Sequence, residues 1–459
     1  MTAVSLAVHI EDISGNPSVL SVLRQFADEP FLLLLDSASA PREQDCRYSV
    51  LTADPLDTIC IDRVDYGSEP FEQLREWQRL LLGIEAVNEL PPFSGGIAGL
   101  MSYDLRHAFE RLPITSPDEF HTPALLAGLF DWAIVWDHLE LSVRLYVLEL
   151  PGQSIAGRVG WVRTRLARVS GAAGGPDPPV AQIPVQCDST RTETEYVSSV
   201  QRVIDYIAAG DIFQANLSQR LSADWDGSAI ELYERVRECN AAPFCGLLQT
   251  ADFSVVSASP ERFLKVSGRH VETRPIKGTR RRQQSPIADL YTAAELSASE
   301  KDRAENVMIV DLLRNDISRV CRTGSVQVTG ICEVEVFQTV QHLVSTVVGE
   351  LRDDCDVWDL CAVCFPGGSI TGAPKIRAME IISELEQISR GAYCGSLFCC
   401  GPTGDFDSSI LIRTFTLKEG RVSFPVGGGI VADSLPRDEY DETLHKASGM
   451  LRCLRPGQR

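Results

Sequence analysis

Short segments with alternating or continuous apolar residues dominate the first 170 residues of the chain. The segments with strand patterns are Phe31–Leu35, Arg47–Leu51, Thr58–Asp62, Ser94–Tyr103, Leu129–Trp136 and Leu141–Leu148. The last two flank the polar stretch Asp137–Glu140, and this arrangement predicts a hairpin. Apolar residues at helical spacing predict helices at Phe71–Leu82 and Gly152–Val169. Residues 1–170 are therefore predicted to form a strand-rich region.

A Gly- and Pro-rich stretch separates this region from the rest of the chain. Its clearest part is Gly171–Pro179, G-A-A-G-G-P-D-P-P, and we predict a linker over residues 171–187. After the linker, apolar residues at helical spacing predict a helix that Asp188 or Thr190 caps and that Gly210 ends. Residues 188–459 are predicted to form the second region.

The second region begins with a strand of mixed character. Asp211–Leu221 alternates apolar and polar residues, which predicts a strand with Gln214, Asn216 and Ser218 on one face.

Composition and charge limit the classes of function. The chain has 459 residues, of which 44% are apolar and 23% charged, with a formal net charge of −20. This charge argues against nucleic acid or an anionic membrane as the main partner, but it leaves room for a small anionic substrate in a locally basic cleft. Met1–Asp12 has neither a basic region nor a sustained apolar run, and no segment reaches the length of a membrane span. We therefore expect no signal peptide and a cytoplasmic location.

The fourteen cysteines follow no disulfide framework, as expected for reduced thiols in a cytosolic chain. Cys361 and Cys364 form a lone C-x-x-C inside the apolar segment W-D-L-C-A-V-C-F. Without a second pair of ligands this spacing does not make a zinc site. We interpret both as buried residues of a helix.

A single lysine lies in the stretch Thr273–Thr279, T-R-P-I-K-G-T, after a predicted strand and before a basic loop. Pro275 and Gly278 favour a turn that holds Lys277 in place. Such a lysine is most often a surface residue. It becomes a nucleophile only if burial or a neighbouring cation lowers its pKa, and Arg274 is a candidate neighbour.

Two predicted helices each carry a pair of acidic residues three positions apart. Ser299 can cap a helix that presents Asp302 and Glu305 on one face, and the C-terminal helix presents Glu439 and Glu442 in the same way. Either pair alone is usually a solvated helix face. If the helices meet, their oxygen ligands suit Mg²⁺.

Other candidate residues lie in glycine-rich turns and apolar strands. Pro366–Lys375 and Val426–Ser434 are predicted turns before helices, where backbone amides can bind carboxylates. Arg413 and His342 are predicted on apolar strands. An arginine there is either paired or available to a carboxylate, and a histidine there is a core residue unless it faces a cleft.

Several motifs together resemble the chorismate-utilising enzymes. They are S-P-E-R-F, R-P-I-K-G-T, K-D-R-A-E-N-V-M-I-V-D-L-L-R-N-D, H-L-V-S-T, F-P-G-G-S-I-T-G-A-P-K and E-Y-D-E-T. The resemblance is dense over residues 188–454 and looser before the linker. It implies an α+β fold of large, mostly antiparallel sheets packed face to face with helices outside. Residues 188–459 would then be the chorismate-binding catalytic region, tightly packed against residues 1–170.

The resemblance also implies roles for the candidate residues. Glu305 and Glu442 are expected to bind Mg²⁺ with support from Asp302 and Glu439. Glu261 is expected to protonate the departing C4 hydroxyl, and His342 to lie near the ring and the enolpyruvyl group. The expected substrate contacts are Gln214, Thr279, Arg413, Gly427, Gly428, Gly429 and Lys446. Ser37 lies where relatives bind aromatic amino acids, so a regulatory pocket is expected there.

Two positions distinguish the branches of this family. Anthranilate synthases and isochorismate synthases resemble this chain but have Ala where Lys277 stands, and members that add water have a lysine where Gln214 stands. The combination implies amination of chorismate at C4, giving 4-amino-4-deoxychorismate for para-aminobenzoate and folate synthesis. The alternatives are an anthranilate synthase component I and a non-catalytic regulator that binds chorismate or an aromatic amino acid.

No glutaminase segment accompanies these motifs, because no cysteine lies in a G-x-C-x-G-type elbow. The ammonia is therefore expected to come from glutamine through a separate amidotransferase subunit.

Overall fold

The computed structural model describes residues 7–39, 46–81, 90–168, 187–283, 285–337 and 340–454. The predicted linker therefore lies outside the described residues, except for Cys187.

The described residues form strands and helices in nearly equal measure along the chain. The strands are β1 (Val8–Asp12), β2 (Leu32–Asp36), β3 (Tyr48–Thr52), β4 (Asp57–Ile61), β5 (Gly96–Met101), β6 (Leu125–Phe130), β7 (Trp132–Asp137), β8 (Ser142–Leu148), β9 (Asp188–Ser189), β10 (Gln214–Asp224), β11 (Phe244–Gln249), β12 (Ser254–Ser259), β13 (Arg262–Ser267), β14 (His270–Thr273), β15 (Ile276–Arg281), β16 (Gln327–Val336), β17 (Val340–Glu350), β18 (Gly372–Ala373), β19 (Ser396–Cys400), β20 (Phe406–Ser409), β21 (Thr414–Lys418) and β22 (Arg421–Ile430). The helices are α1 (Val19–Leu23), α2 (Glu72–Leu81), α3 (Arg106–Phe109), α4 (Ile155–Leu166), α5 (Glu193–Ala208), α6 (Ala229–Cys239), α7 (Pro286–Ala298), α8 (Glu300–Ser318), α9 (Val357–Cys364), α10 (Lys375–Glu386) and α11 (Pro436–Leu454).

Two antiparallel sheets organise the molecule. Among the described residues, the larger has twelve strands in the order β1-β8-β7-β3-β2-β11-β12-β21-β22-β10-β18, with β9 beside β10. The smaller has ten in the order β15-β17-β14-β13-β20-β19-β5-β6-β4, with β16 beside β17. Strands from before and after the predicted linker pair directly, β2 with β11 and β5 with β19.

The core has three main layers of apolar side chains. One, with Leu33 of β2 and Leu100 of β5, lies between the two sheets. Helices α1, α4, α6 and α11 cover the outer face of the larger sheet, and α2, α8 and α9 cover that of the smaller. The predicted α+β fold with face-to-face sheets is thereby confirmed. Cys361 and Cys364 are buried in α9, as predicted.

Two local predictions are wrong for identifiable reasons. Thr192 caps α5 through a capping box with Glu195, whereas Asp188 pairs with β10 and cannot cap the helix. The predicted strand Leu129–Trp136 is divided at Asp131, because β6 belongs to the smaller sheet and β7 to the larger. The buried Asp131 carboxylate at this crossing accepts a hydrogen bond from Arg158 at 3.0 Å.

The larger sheet is open along one edge of β22. This strand pairs with β10 along its whole length, but β21 pairs with only its first three residues, Arg421–Ser423. Beyond them, the other edge of β22 is not paired with any strand among the described residues. Helix α11 packs on β22, and α8 packs on β15 and β17. The open edge is therefore flanked by the two helices with acidic pairs.

No helix in the described ranges combines the length and the apolar composition needed to cross a bilayer.

Candidate active site

A cavity of about 620 Å³ lies at the open edge of β22. It is lined by most of the residues that the sequence singled out, namely Glu261, Lys277, Thr279, Asp302, Glu305, His342, Arg413, Gly427, Gly428, Gly429, Glu439, Glu442 and Lys446. These residues lie on or beside strands of both sheets and on α8 and α11. The cavity therefore brings together acidic, basic and backbone groups that lie far apart in the sequence.

Lys277 lies on a strand, so the predicted turn and basic loop are wrong. β15 continues to Arg281 and pairs with β17, with an irregularity in register between Lys277 and Thr279. Gly278, at φ +72°, makes this irregularity possible, since a Cβ there would lie 3.0 Å from the Asp302 side chain.

The amine of Lys277 points into the cavity. Its Nζ donates a hydrogen bond to the carbonyl of Ser369 at 3.2 Å. Burial lowers the pKa of Lys277, although the negative charges of Glu305 and Glu261 oppose this change. Arg274, the neighbour expected to lower this pKa, forms an ion pair with Glu335 instead. The neutral amine is thus favoured by the surroundings, as nucleophilic chemistry requires.

Glu261 lies in the turn between β12 and β13 and is 4% exposed. Burial raises its pKa to about 7, against the opposing effects of Ser369, the Lys277 charge and the amide of Ile276. That amide donates to Glu261 Oε1 at 3.4 Å. A carboxyl group with this pKa can carry a proton at neutral pH and release it to a leaving group.

His342 is buried on β17 and is neutral near pH 7. Burial and the nearby charge of Arg413 lower its pKa to about 4. Its Nδ1 shares a hydrogen bond of 2.8 Å with Thr279 Oγ1, which fixes the ring beside the cavity. A neutral imidazole held in this way can give or accept a hydrogen bond without adding charge.

Arg413 is not on a strand, contrary to the prediction. It precedes β21 with φ +52°, a left-handed conformation that non-glycine residues adopt infrequently. Burial lowers its pKa. Among the described residues, its guanidinium makes no hydrogen bond and no ion pair. A half-buried arginine that lines a cavity and has no partner among the described residues is well placed to bind a carboxylate.

The three consecutive glycines lie within β22 and not in a turn as predicted. A Cβ at Gly427 would lie 2.5 Å from the carbonyl of Leu217, and one at Gly429 would lie 2.5 Å from Nε2 of Gln214. At Gly428 a Cβ would lie 3.5 Å from Lys446 Nζ. Glycine therefore keeps this wall of the cavity free of side chains and its backbone accessible to a ligand.

The four predicted metal ligands all line the cavity, and three of them have a partner of their own. Glu442 pairs with Lys446 at 2.7 Å, and this pairing keeps the pKa of Glu442 low despite its burial. Asp302 accepts a hydrogen bond from Arg280, and Glu439 accepts one from Ser434. In the described part of the chain, no group of three or more His, Cys, Asp or Glu side chains is arranged to hold a metal ion.

Glu305 nevertheless fits a cation. Burial raises its pKa, and the negative charges of Asp302 and Glu442 add to this effect. Its carboxylate has no hydrogen bond or ion pair with another described residue. Mg²⁺ is commonly bound by one or two protein carboxylates, with water and substrate oxygens completing its shell. Glu305 and Glu442, which both line the cavity, are the candidates for two such carboxylates.

Two predicted residues lie outside this cavity. Gln214 is buried behind Gly429, and neither polar atom of its amide has a hydrogen-bond partner among the described residues. Ser37 lines a separate cavity of about 140 Å³, where its Oγ donates to the carbonyl of Tyr48 at 2.7 Å. Neither side chain is placed to contact directly a ligand that binds in the larger cavity.

Sequence reasoning gave no role to three other cavity residues, Asn216, Lys301 and Ser369. The sequence did contain a signal for Asn216, because it is a polar residue on an inward face of a predicted strand. Ser369 lies within the motif F-P-G-G-S-I-T-G-A-P-K, while nothing in the local sequence distinguished Lys301.

Comparison with known proteins agrees with this geometry. The pattern of the chorismate binding enzymes matches residues 36–452. Aminodeoxychorismate synthase component 1 of Salmonella typhimurium is 39% identical, and the match covers 93% of each chain. Anthranilate synthase component 1 of Thermus thermophilus is 38% identical over 95% of each. The crystal structure of anthranilate synthase component I from Streptococcus pneumoniae superposes with a TM-score of 0.78 at 31% identity, covering 90% of this chain and 94% of that one.

The match spans nearly the whole chain, and it includes both helices with acidic pairs and the strands that carry Lys277 and the glycines. This chain belongs to the family of chorismate-binding enzymes.

Proposed function

We propose that this chain catalyses the amination of chorismate at C4, which yields 4-amino-4-deoxychorismate for para-aminobenzoate and folate synthesis. The observation that carries the proposal is that the half-buried amine of Lys277, which has a lowered pKa, lines one cavity with the acid Glu261. We further propose that the chain acts in the cytoplasm and receives its ammonia from glutamine through a separate amidotransferase subunit. Relatives named as component 1 support the existence of a second component.

In the first step, the neutral amine of Lys277 attacks C2 of the ring while the two conjugated ring double bonds shift, to C1=C6 and C4=C5, and the C4–O bond breaks. Glu261 gives its proton to the departing hydroxyl, which leaves as water. The lysine nitrogen is then bonded to C2 and carries a positive charge. The carboxylates of Glu261 and Glu305, whose charges act on Lys277 in the free cavity, stabilise that charge.

In the second step, ammonia attacks C4, both ring double bonds return to C1=C2 and C5=C6, and the C2–N bond breaks. Lys277 leaves as a neutral amine, and the new ammonium at C4 returns a proton to the carboxylate of Glu261. One difficult displacement thus becomes two allylic steps that share a covalent intermediate. The enolpyruvyl group is untouched.

Other residues would hold the substrate. Arg413 has no partner among the described residues and suits one carboxylate, and the backbone of Gly427–Gly429 with Lys446 forms a second polar wall. The neutral His342, which Thr279 holds by a hydrogen bond, would face the ring. Glu305 and Glu442, with Asp302 and Glu439 behind them, would hold Mg²⁺. When bound, Mg²⁺ supplies positive charge to a ring carboxylate.

Anthranilate synthesis is the alternative activity. Overall similarity does not separate the two, because the chain is 39% identical to an aminodeoxychorismate synthase component 1 and 38% identical to an anthranilate synthase component 1. Lys277 favours amination at C4, because direct attack at C2 would need that position free of a nucleophilic side chain. A non-catalytic regulator is disfavoured, because the acid, the amine and the carboxylate pair all reach one cavity.

Replacing Lys277 tests the proposal. Lys277→Ala should bind chorismate but lose product formation by at least about a hundredfold, since the covalent path is removed. Lys277→Arg should fare no better, because guanidinium stays protonated and cannot attack. Lys418→Ala, which removes a lysine from the remote end of β21, is the matched control and should keep full activity.

Product identification and intact mass decide the outcome. With chorismate, Mg²⁺ and ammonium, the unmodified chain should release 4-amino-4-deoxychorismate. Without ammonium, it should gain the mass of chorismate less one water. Anthranilate as the product would refute amination at C4, and near-normal turnover by Lys277→Ala would refute the nucleophilic role. Substantial activity in Lys277→Arg would assign Lys277 an electrostatic role.

A further inference from the structure

The motif F-P-G-G-S-I-T-G-A-P-K contributes backbone groups to one wall of the cavity. Ser369 and Ile370 line the cavity, and the carbonyl of Ser369 accepts the hydrogen bond from Lys277 Nζ at 3.2 Å. A neutral amine that gives one N–H to a fixed carbonyl is limited in the directions in which its lone pair can point. The same carbonyl can stabilise the positive charge that the nitrogen gains on attack. The position of this one carbonyl therefore matters for the proposed reaction.

Arg390 holds the peptide groups that follow Ser369. Its side chain is 2% exposed and lies just beyond α10. Nη1 donates to the carbonyl of Ile370 at 3.1 Å, and Nη2 donates to the carbonyl of Asn216 on β10 at 2.6 Å. The amide of Asn216 in turn donates to the carbonyl of Thr371 at 2.7 Å. Two consecutive peptide groups are thus held from behind, which limits how far the Ser369 carbonyl can move.

A bidentate ion pair fixes the guanidinium of Arg390 itself. Its Nε and Nη2 donate to the two carboxylate oxygens of Glu386, each at 2.8 Å. Oε1 of Glu386 also accepts hydrogen bonds from the amide and the hydroxyl of Ser218, each at 2.8 Å. The guanidinium carbon lies 4.7 Å from the centre of the Tyr103 ring. Arg390 and Glu386 line a separate cavity of about 530 Å³, so they act on the catalytic cavity from outside it.

We propose that Arg390 is a positioning residue for the attack by Lys277. Through the carbonyl of Ile370, it fixes the segment Ser369–Thr371 and hence the acceptor that orients the lysine amine toward C2. This inference rests on the proposed function and adds a residue that does not touch the substrate. Misplacement of reacting atoms by about 1 Å can cost about a hundredfold in rate. Loosening this segment should therefore slow the attack without weakening the binding of chorismate.

The test replaces the guanidinium and follows the covalent adduct on Lys277. Arg390→Lys keeps a charge for Glu386 but lacks the planar fork that reaches both backbone carbonyls. The double variant Arg390→Met with Glu386→Gln removes both charges, so that no unpaired charge is buried and the fold is preserved. Arg158→Lys is the matched control, because Arg158 joins two carboxylates in the same way and does not line the catalytic cavity.

Intact mass after rapid quenching, without ammonium, measures the rate at which the adduct forms. At saturating chorismate, this rate should fall at least about tenfold in both Arg390 variants. The chorismate concentration for half-maximal rate should change less than about twofold, because Arg390 makes no contact with the groups expected to bind the substrate. Arg158→Lys should lower the Tm, as Arg390→Lys does, but leave the adduct rate unchanged.

Three results would overturn the inference. They are a normal adduct rate in both Arg390 variants, a change only in the chorismate concentration for half-maximal rate, and an equal slowing in Arg158→Lys, which would reflect a general loss of stability. An unmodified chain that forms no adduct would instead refute the proposed function itself.

Discussion

The carboxyl group of Glu261 lies in a buried turn, and burial raises its pKa to about 7. In the unfolded chain the group ionises near its ordinary value of 4.5. Between these two values, ionisation favours the unfolded state, so the folded state loses stability as pH rises through this window. Below pH 4.5 the group is protonated in both states and contributes nothing. Burial therefore lets Glu261 keep the proton that catalysis needs, and the same burial lowers the free energy of unfolding above pH 4.5.

Glu261→Gln should be inactive but more stable than the unmodified chain at pH 8. The gain should be small at pH 4.5, grow up to pH 7 and then level off at no more than about 3.4 kcal/mol, from about two and a half pKa units. Denaturant unfolding at pH 5 and pH 8 measures the gain. Glu238→Gln, at an exposed position on α6, is the control and should show no such pH dependence. A loss of stability at pH 8 in Glu261→Gln would contradict the buried, protonated carboxyl.

Some residues of the site can be predicted individually from the sequence, and others cannot. Lys277 and Glu261 lie in short motifs whose residue types imply their chemistry. Arg413 has no hydrogen-bond partner among the described residues, and it adopts a left-handed backbone conformation where the chain passes from β20 to β21. The unpartnered oxygen of Asn216 is likewise a property of the folded surroundings. Neither of these two features can be inferred from the local sequence.

At the scale of elements, helices were predicted better than strands. α8 has the capping residue Ser299, and both α8 and α11 have acidic first turns, so both helices were found with their acidic faces. β15 and β22 were interpreted as turns because Gly278 and Gly427–Gly429 resemble loop sequences. Their strand character comes from pairing with β17 and β10, and β10 lies about 200 residues from β22 in the chain.

The two acidic helices should act together on one cation. Glu305→Gln and Glu442→Gln each remove one charge from an incomplete oxygen site, so the Mg²⁺ concentration for half-maximal activity should rise at least about tenfold. Thermal stabilisation by Mg²⁺ without substrate should weaken in parallel. Asp441→Asn, beside Glu442 but paired with Arg437 on the outer face of α11, is the matched control. Unchanged Mg²⁺ dependence in both variants would place the metal elsewhere.

At the scale of the whole molecule, the two regions of the sequence contribute strands to both sheets. β2 pairs with β11 and β5 with β19, so each sheet continues across the predicted linker. The division at residues 171–187 stays a prediction, and we propose that it marks an excursion of the chain between closely packed halves. The family resemblance implied this packing, whereas composition and length alone favoured separate regions.

We propose that this chain uses ammonia and that a separate subunit produces it. A glutaminase needs an activated thiolate, whereas burial raises the pKa of Cys245, Cys361 and Cys364 in this molecule. The purified chain should therefore aminate chorismate with ammonium, faster at raised pH where more neutral ammonia is present, and should not use glutamine.

Glutamine use should appear only when a separate amidotransferase subunit is added. Measuring glutamate and 4-amino-4-deoxychorismate together tests this, because the two should then form in equal amounts. Lys277→Ala provides the control, since glutamate release by the added subunit should continue while amination stops. Release of glutamate by the purified chain alone would contradict the separation of the two activities, because it would require a nucleophilic thiol that neither the sequence pattern nor the buried cysteines provide.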